Sequence, residues 1–296
     1  MLKPLILGAA SAIFLLSATT AQAGHHEKGK LEGKVAGKVA GKGAGKMHSA
    51  MASIEKAVGN NVLRTKRDME RDQYRNPVET LHFFGMMPNM TVAELGPSSG
   101  WYTRILAPFT AEHGKYIALN NSPTSGKRYE GGMQWRETFI KHNDDMFGEN
   151  ASARYIGQTV PFAAPNSVDA VLIFRGMHGQ IARGDVNGLL AEVLETLKPG
   201  GVLGIVQHRG REDFDTDPKE TMRGYVKQSY IVDLVEKAGF ELAASSEINA
   251  NPKDPTDWEK GVWTLQTSKP IAEKDQKFRE IGESDRMTLK FVKPAQ

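Results

Sequence analysis

The sequence predicts a doubly wound α/β protein, a mostly parallel sheet with helices on both faces. Two observations carry this. Short apolar runs alternate with longer amphipathic ones across residues 88–293, as strand–helix–strand units do when crossover helices cover a parallel sheet. Helical stretches also close on glycine turns that lead straight into apolar runs, at Lys198-Pro199-Gly200-Gly201 and at Gly239.

The elements follow in order. Ile54, Val58 and Val62 mark a short leading helix, then comes the charge-dense run RTKRDMERDQYRNP from Arg64. Pro77 and ETLHFFGMM read as a second helix closed by Pro88. Candidate strands fall at 91–95, 115–120, 152–156, 168–174, 201–207, 241–248 and 286–292. Helices are expected at 100–110, 133–147, 185–197 and 226–238. In the third of these Leu189, Leu190, Val193, Leu194 and Leu197 keep a 3.6-residue period.

Two segments precede this domain, which spans 48–296. Residues 1–23 read as a secretory signal peptide: Lys3, an apolar stretch from Leu5 to Leu16, and the small-x-small site Ala21-Gln22-Ala23. That stretch is too short to cross about 30 Å of hydrocarbon, so the expectation is cleavage and a periplasmic or secreted bacterial protein. Residues 24–47 repeat Gly-Lys every four residues. A flexible Gly/Lys-rich linker is one reading. A weak electrostatic tether to an anionic envelope surface is the other.

The net charge of +3 is unevenly spread. Residues 1–47 hold seven lysines and two glutamates, which leaves 31 of the 38 basic and 33 of the 35 acidic residues to the domain. Nothing in that balance recruits specific nucleic acid. The chain has no cysteine, which excludes disulfides, a thiol nucleophile and zinc–thiolate sites. His25 and His26 are too few ligands for a metal, and no metal site is expected. Oligomeric state is left open.

In an open parallel sheet, ligands sit at the carboxyl ends of strands where the winding reverses. The stretch AELGPSSGWYTRILAP, residues 93–108, is a strand, a small-residue loop and an amphipathic run at such a place. Gly96 and Gly100 permit close backbone approach, and a helix from about Gly100 points its amide end at the ligand.

Glu94-Leu-Gly96-Pro-Ser-Ser-Gly100, then VDAVLIF, LAEVLETLKPGGVLGIVQ and LVEKAGFEL, together resemble a class I (Rossmann-like) S-adenosylmethionine-dependent methyltransferase over about residues 88–293. IGESDRMTLKFVKP and GWYTRILAP further resemble a group of exported bacterial methyltransferases. The resemblance implies seven strands, the last antiparallel, and a cofactor lying over the first two strand ends. It assigns Glu94, Gly96, Ser98 and Gly100 to the cofactor loop, with Ser98 where the family has glycine. It places Asn120 and Asn121 at the ribose and Gln158 at the adenine, where the family uses carboxylates. Amides bond the same groups without charge assistance.

Past the fourth strand, in IFRGMHG, His178 is the candidate general base, against a loop histidine bonded to backbone. Arg175 either binds an acidic substrate or pairs with an Asp. The segment lacks the Asn-Pro-Pro-aromatic sequence of adenine or glutamine N-methylation, which argues against those acceptors; an unidentified small-molecule acceptor is expected. His208 and Arg209 end the fifth strand and are weaker candidates, since HRGREDFDTDPKE reads as a solvated loop. Asp169 lies at the wrong end for chemistry and is expected to cap or pair. Trp101 and Tyr102 read as core, with ligand stacking the alternative. The Arg64–Arg75 run reads as a lid or a solvated helix face. The function expected is methyl transfer from S-adenosylmethionine. The alternatives are an exported non-catalytic ligand-binding or scaffold protein on the same fold, and a nicotinamide dehydrogenase, which the missing ribose acid and Ser98 disfavour.

Overall fold

Because side chains alternate along a strand, the first strand, β1 (Thr91–Leu95), sends Val92 and Glu94 to one face of its sheet and Ala93 and Leu95 to the other. Both faces are covered. That is why TVAEL and VDAVLIF read as continuous apolar runs rather than as alternation. The structure, a computed structural model, describes residues 40–121, 134, 137–139, 141, 151–156, 162–213, 223–265 and 269–295, without the side chains of 40–47, 121 and 151–156. The signal segment, most of the Gly-Lys repeat, most of the expected 133–147 helix and Gln158 lie outside these residues.

The chain runs α1 (Ala40–Val58), α2 (Lys66–Met69), α3 (Asp72–Arg75), α4 (Pro77–Phe84), β1, α5 (Thr103–Thr110), β2 (Lys115–Asn121), β3 (Ala151–Ile156) and β4 (Val168–Phe174). It continues through α6 (Met177–Arg183), α7 (Val186–Thr196), β5 (Leu197–Gly210), α8 (Gln228–Lys237), β6 (Glu241–Ser246), α9 (Gln276–Ile281) and β7 (Arg286–Val292). Seven strands lie in the order β3-β2-β1-β4-β5-β7-β6, and a two-residue strand, Val226–Lys227, pairs with the end of β5. All of these pairings are parallel except those of β7, which is antiparallel to both β5 and β6. The winding reverses between β1 and β4.

One core layer packs Leu189, Leu190 and Val193 of α7 and Ile231 and Val235 of α8 against the sheet. The other packs Ile54, Leu81, Phe84, Ile105 and Leu106 against Val92, Ala118, Ala170 and Leu172. Gly204 of β5 makes room for this second layer, since a Cβ there would stand 2.7 Å from Leu172 Cδ2 and 3.0 Å from the Phe84 ring.

Three boundaries differ from the sequence reading. The leading helix reaches back to Ala40, into the segment expected as linker, and stops at Val58, so Val62 lies beyond it and is 89% exposed. Helix α5 starts at Thr103, after a turn that carries Gly100. Strand β5 starts pairing at Leu197, loses register, and resumes at Val202, with Gly200 left-handed in between. The Lys198–Gly201 turn is thus an irregularity within the strand.

Candidate functional site

The carboxyl ends of β1, β2, β4 and β5 meet at one edge, and the first strand ends there in a loop of repeated left-handed turns. Gly96 (φ 65°), Ser98 (φ 54°) and Gly100 (φ 82°) all have positive φ. Serine thus adopts the conformation that glycine takes without steric cost, and it is exposed, so its side chain is turned to solvent. The loop is tied down by Gly96 N–H to Leu119 O (2.7 Å) and Gly100 N–H to Pro97 O (2.8 Å). A Cβ built on Gly96 would meet nothing within 4 Å.

Beneath the loop Glu94 is buried. Tyr116 Oη donates to its Oε2 (2.6 Å), and the Thr103 hydroxyl lies 3.2 Å from the same oxygen and 2.8 Å from Tyr116 Oη. Burial pushes the Glu94 carboxyl up to about 7 against the opposing pull of these hydroxyls, Arg175 and Arg104. Asn120 is half-buried at the end of β2, Asn121 is described only as backbone in that strand, and Gln158 lies outside the described residues.

Past β4, Arg175 holds φ at 57°, its N–H donating to Val206 O (2.6 Å). A non-glycine residue there is strained, and such strain persists where surroundings over-determine it. Its nearest carboxylate is not an aspartate but Glu283, 3.7 Å away. Burial and the neighbouring Arg75 lower the Arg175 pKa, though a guanidinium keeps its proton.

His178 opens α6. Burial holds its imidazole below the usual histidine range, so it is neutral at pH 7. Gln207 fixes which nitrogen carries the proton. Its Oε1 accepts from Met177 N–H (3.1 Å), so its amide nitrogen faces Gly224 O (2.7 Å) and His178 Nδ1 (3.3 Å). Nδ1 must then accept, and the proton sits on Nε2. The His178 ring lies 5.8 Å from His208 and 5.9 Å from Trp263.

Several sequence expectations are corrected here. His208 ends the fifth strand as expected but is not solvated: it is buried, 2.6 Å from Ser284 Oγ, and burial followed by His178 and Arg175 holds it neutral. Arg209 is occupied by Asp285 and Glu247. The Arg64–Arg75 run is not a solvated face, for Arg64, Asp68 and Arg75 are buried. Asp68 completes the capping box of α2 by accepting the N–H of the N-cap residue Thr65, pairs with Arg104 and accepts Trp101 Nε1–H on its carbonyl. Arg64 and Arg75 stand over the Trp101 ring, 5.0 and 4.6 Å from its centre. Trp101 and Tyr102 are core, as read, with Tyr102 stacked on Phe174. Asp169 pairs with Lys198 and accepts Thr91 N–H at the opposite end of the sheet.

The sequence reading missed Gln207, Glu283, Arg286 and Trp263, and saw Arg75 only as the end of a charged run. Arg71, Arg75, Arg286 and Arg175 surround Glu283. Burial would raise that carboxyl, but the four guanidiniums hold it well below the usual range. A cavity of about 600 Å³ opens at the amino ends of β1 and β2, lined by Thr91, Lys115 and the 162–165 segment, and no candidate residue lines it. Among the described residues no three His, Asp or Glu side chains group as metal ligands, and no helix is long and apolar enough to cross a membrane.

No protein-family model matches the chain. Two curated fungal proteins do: a sterol 24-C-methyltransferase of Gibberella zeae, 22% identical over 204 residues (65% of this chain, 49% of that one), and one of Aspergillus fumigatus, 25% identical over 195 residues (60% and 46%). The chain spans about half the length of these relatives. Among solved structures, a SAM-dependent methyltransferase from Aquifex aeolicus superimposes with a TM-score of 0.51 at 15% identity, covering 82% of this chain and 97% of that one. The (4+2)-cyclase SpnF superimposes with a TM-score of 0.50 at 12% identity, covering 86% and 96%. By its strand order, its one reversed strand and these superpositions, the chain has the fold of the class I S-adenosylmethionine-dependent methyltransferases.

Proposed function

We propose that the protein transfers a methyl group from S-adenosylmethionine to a small-molecule acceptor at the carboxyl edge of β1, β4 and β5. The loop from Gly96 to Gly100 carries this reading. Three alternate left-handed residues and the open space beside Gly96 present backbone rather than side chains to a ligand, next to the reversal of winding between β1 and β4.

The residues present fit the cofactor. Gly96, Ser98 and Gly100 would take its methionyl end, and the Asn120 amide would bond the ribose hydroxyls. When bound, the cofactor supplies an electrophilic methyl group, so the chain's share is alignment and exclusion of water. His178 presents a donor from Nε2. It therefore orients an acceptor heteroatom, and its Nδ1 is occupied by Gln207. Arg175 stands three residues away at the same strand end. A sterol, the acceptor in the names of the two fungal relatives, suits this edge poorly, because apolar rings would strip water from the charges around Glu283 without replacing it.

Isothermal titration of the full-length protein with S-adenosylmethionine tests the reading. The expected result is saturable heat, with S-adenosylhomocysteine raising the melting temperature. The absence of both heat and protection would overturn it. We also propose export of the mature chain, supported by the signal-like residues 1–23. A phosphatase fused after residue 47 should be active in the periplasm, and an inactive fusion would return the protein to the cytosol.

A further inference from the structure

We propose that the acceptor side of this edge is an anion-binding site, with Arg175 and His178 as its donors, and that the methyl acceptor is therefore a small molecule carrying a carboxylate or phosphate. The second half of the statement rests on the methyltransferase reading and the first does not.

The charge arrangement supplies the main argument. One buried carboxylate, Glu283, faces four guanidiniums: Arg71, Arg75 (3.1 Å), Arg286 (3.1 Å) and Arg175 (3.7 Å). Buried charges are ordinarily matched, and here three positive charges are in excess. The other carboxyl near Arg175 is Glu94, pushed up to about 7, so it offsets only part of the excess at neutral pH.

Three of the arginines are otherwise occupied. Arg286 also donates to Ser284 O and Tyr74 O. Arg75 bonds Glu283 through Nε and lies over Trp101, whose π face takes the place of an acceptor for its Nη1. Arg71 bonds Glu283 through Nε. Arg175 differs. Among the described residues its guanidinium makes no hydrogen bond, and its side chain keeps 24% of its surface exposed. It is the open face of the cluster, at the end of the strand beside β1 and its loop.

His178 argues the same way from different atoms. With Nδ1 held by Gln207, Nε2 is a donor, and a donor beside an unbonded guanidinium recognises an acceptor-only group. Trp263 is 53% exposed and lies 5.9 Å from the His178 ring.

Titration calorimetry of the full chain with benzoate, its neutral isostere benzamide, and inorganic phosphate tests this, each with and without S-adenosylhomocysteine. Benzoate or phosphate should bind at least about tenfold more tightly than benzamide, as expected when a charge-assisted bond is made. Which anion binds tells a carboxylate acceptor from a phosphorylated one. Arg175→Gln should weaken that binding at least tenfold, and Arg175→Lys should recover part of it. S-adenosylhomocysteine affinity and the melting temperature of both variants report that the fold and cofactor loop are intact. Benzamide binding as tightly as the tighter of the two anions, anion binding that survives Arg175→Gln, or binding of neither anion would overturn the proposal. Failure of S-adenosylhomocysteine to bind, with Arg175-dependent anion binding retained, would remove the methyltransferase reading and leave the anion site standing.

Discussion

Replacing Glu94 with glutamine isolates a group whose folded and unfolded titrations are far apart. The Glu94 carboxyl ionises at about 7 in the folded protein, chiefly because it is buried, against 4.5 when free. A carboxyl raised in this way contributes stability that is fully present below pH 4.5 and lost as pH rises through 7. At 1.36 kcal/mol per pKa unit, the fold should be about 2.5 kcal/mol less stable at pH 8 than at pH 5 on account of this one side chain. His178 and His208 work in the opposite sense. Their imidazoles are held below 6.5 by burial, so their contribution is present above that pH and lost as pH falls. The wild-type curve sums both effects, and the difference between wild type and Glu94→Gln removes the histidines. The glutamine carbonyl still accepts from Tyr116, so the local bond pattern is largely kept. Urea denaturation of both proteins at pH 5, 6, 7 and 8 gives the result. The variant should gain about 2.5 kcal/mol on wild type between the extremes. A stability difference that is flat with pH would refute the argument, since Glu94 would then ionise alike in both states.

The loop above it yields a second expectation. Gly96→Ala should cost about 1–2 kcal/mol from the left-handed backbone alone, even though its methyl group would meet no protein atom, and should weaken S-adenosylmethionine binding by filling that space. Ser98→Gly should be near neutral, since relief at φ 54° is offset by the greater freedom of glycine in the unfolded chain. Chemical denaturation and titration calorimetry check both. Asp68→Ala removes the Asp68 half of the α2 capping box and the Arg104 pair together, and should destabilise the protein by about 2 kcal/mol at pH 7. Because the pair is mostly buried, most of that loss should persist in 1 M salt.

Much of the architecture was legible because each strand and helix is decided locally. TVAEL and VDAVLIF are apolar on both faces, and α7 keeps its period through Leu189, Leu190 and Val193. The loop was legible by position, although not that Ser98 would share the glycine conformation. The site beyond it was half legible. Arg175 and His178 lie three residues apart in one turn, whereas the groups that decide what they do come from elsewhere. Gln207 is 29 residues from His178, and Glu283 is 208 residues from Arg75. No periodicity encodes such pairs, and the Arg64–Arg75 run looked solvated because its partners Trp101, Arg104 and Glu283 lie in other elements.

One signal in the sequence did point to Glu283, and it is topological. In a sheet whose other long strands run parallel, the residues that begin the single antiparallel strand arrive at the carboxyl ends of the rest. Strand β7 begins at Arg286, which pairs with His208 near the end of β5. Ser284, Glu283 and Arg286 are therefore delivered to the edge where Gly96, Arg175 and His178 already stand. Reversing that one strand would move them to the far end of the sheet, beside Asp169 and Lys198, and leave Arg175 without its neighbours. The reversed strand thus joins the two halves of the site. The first half, around β1, offers backbone to a ligand. The second, around β7, confines positive charge beside it, and the two share a border at Arg175.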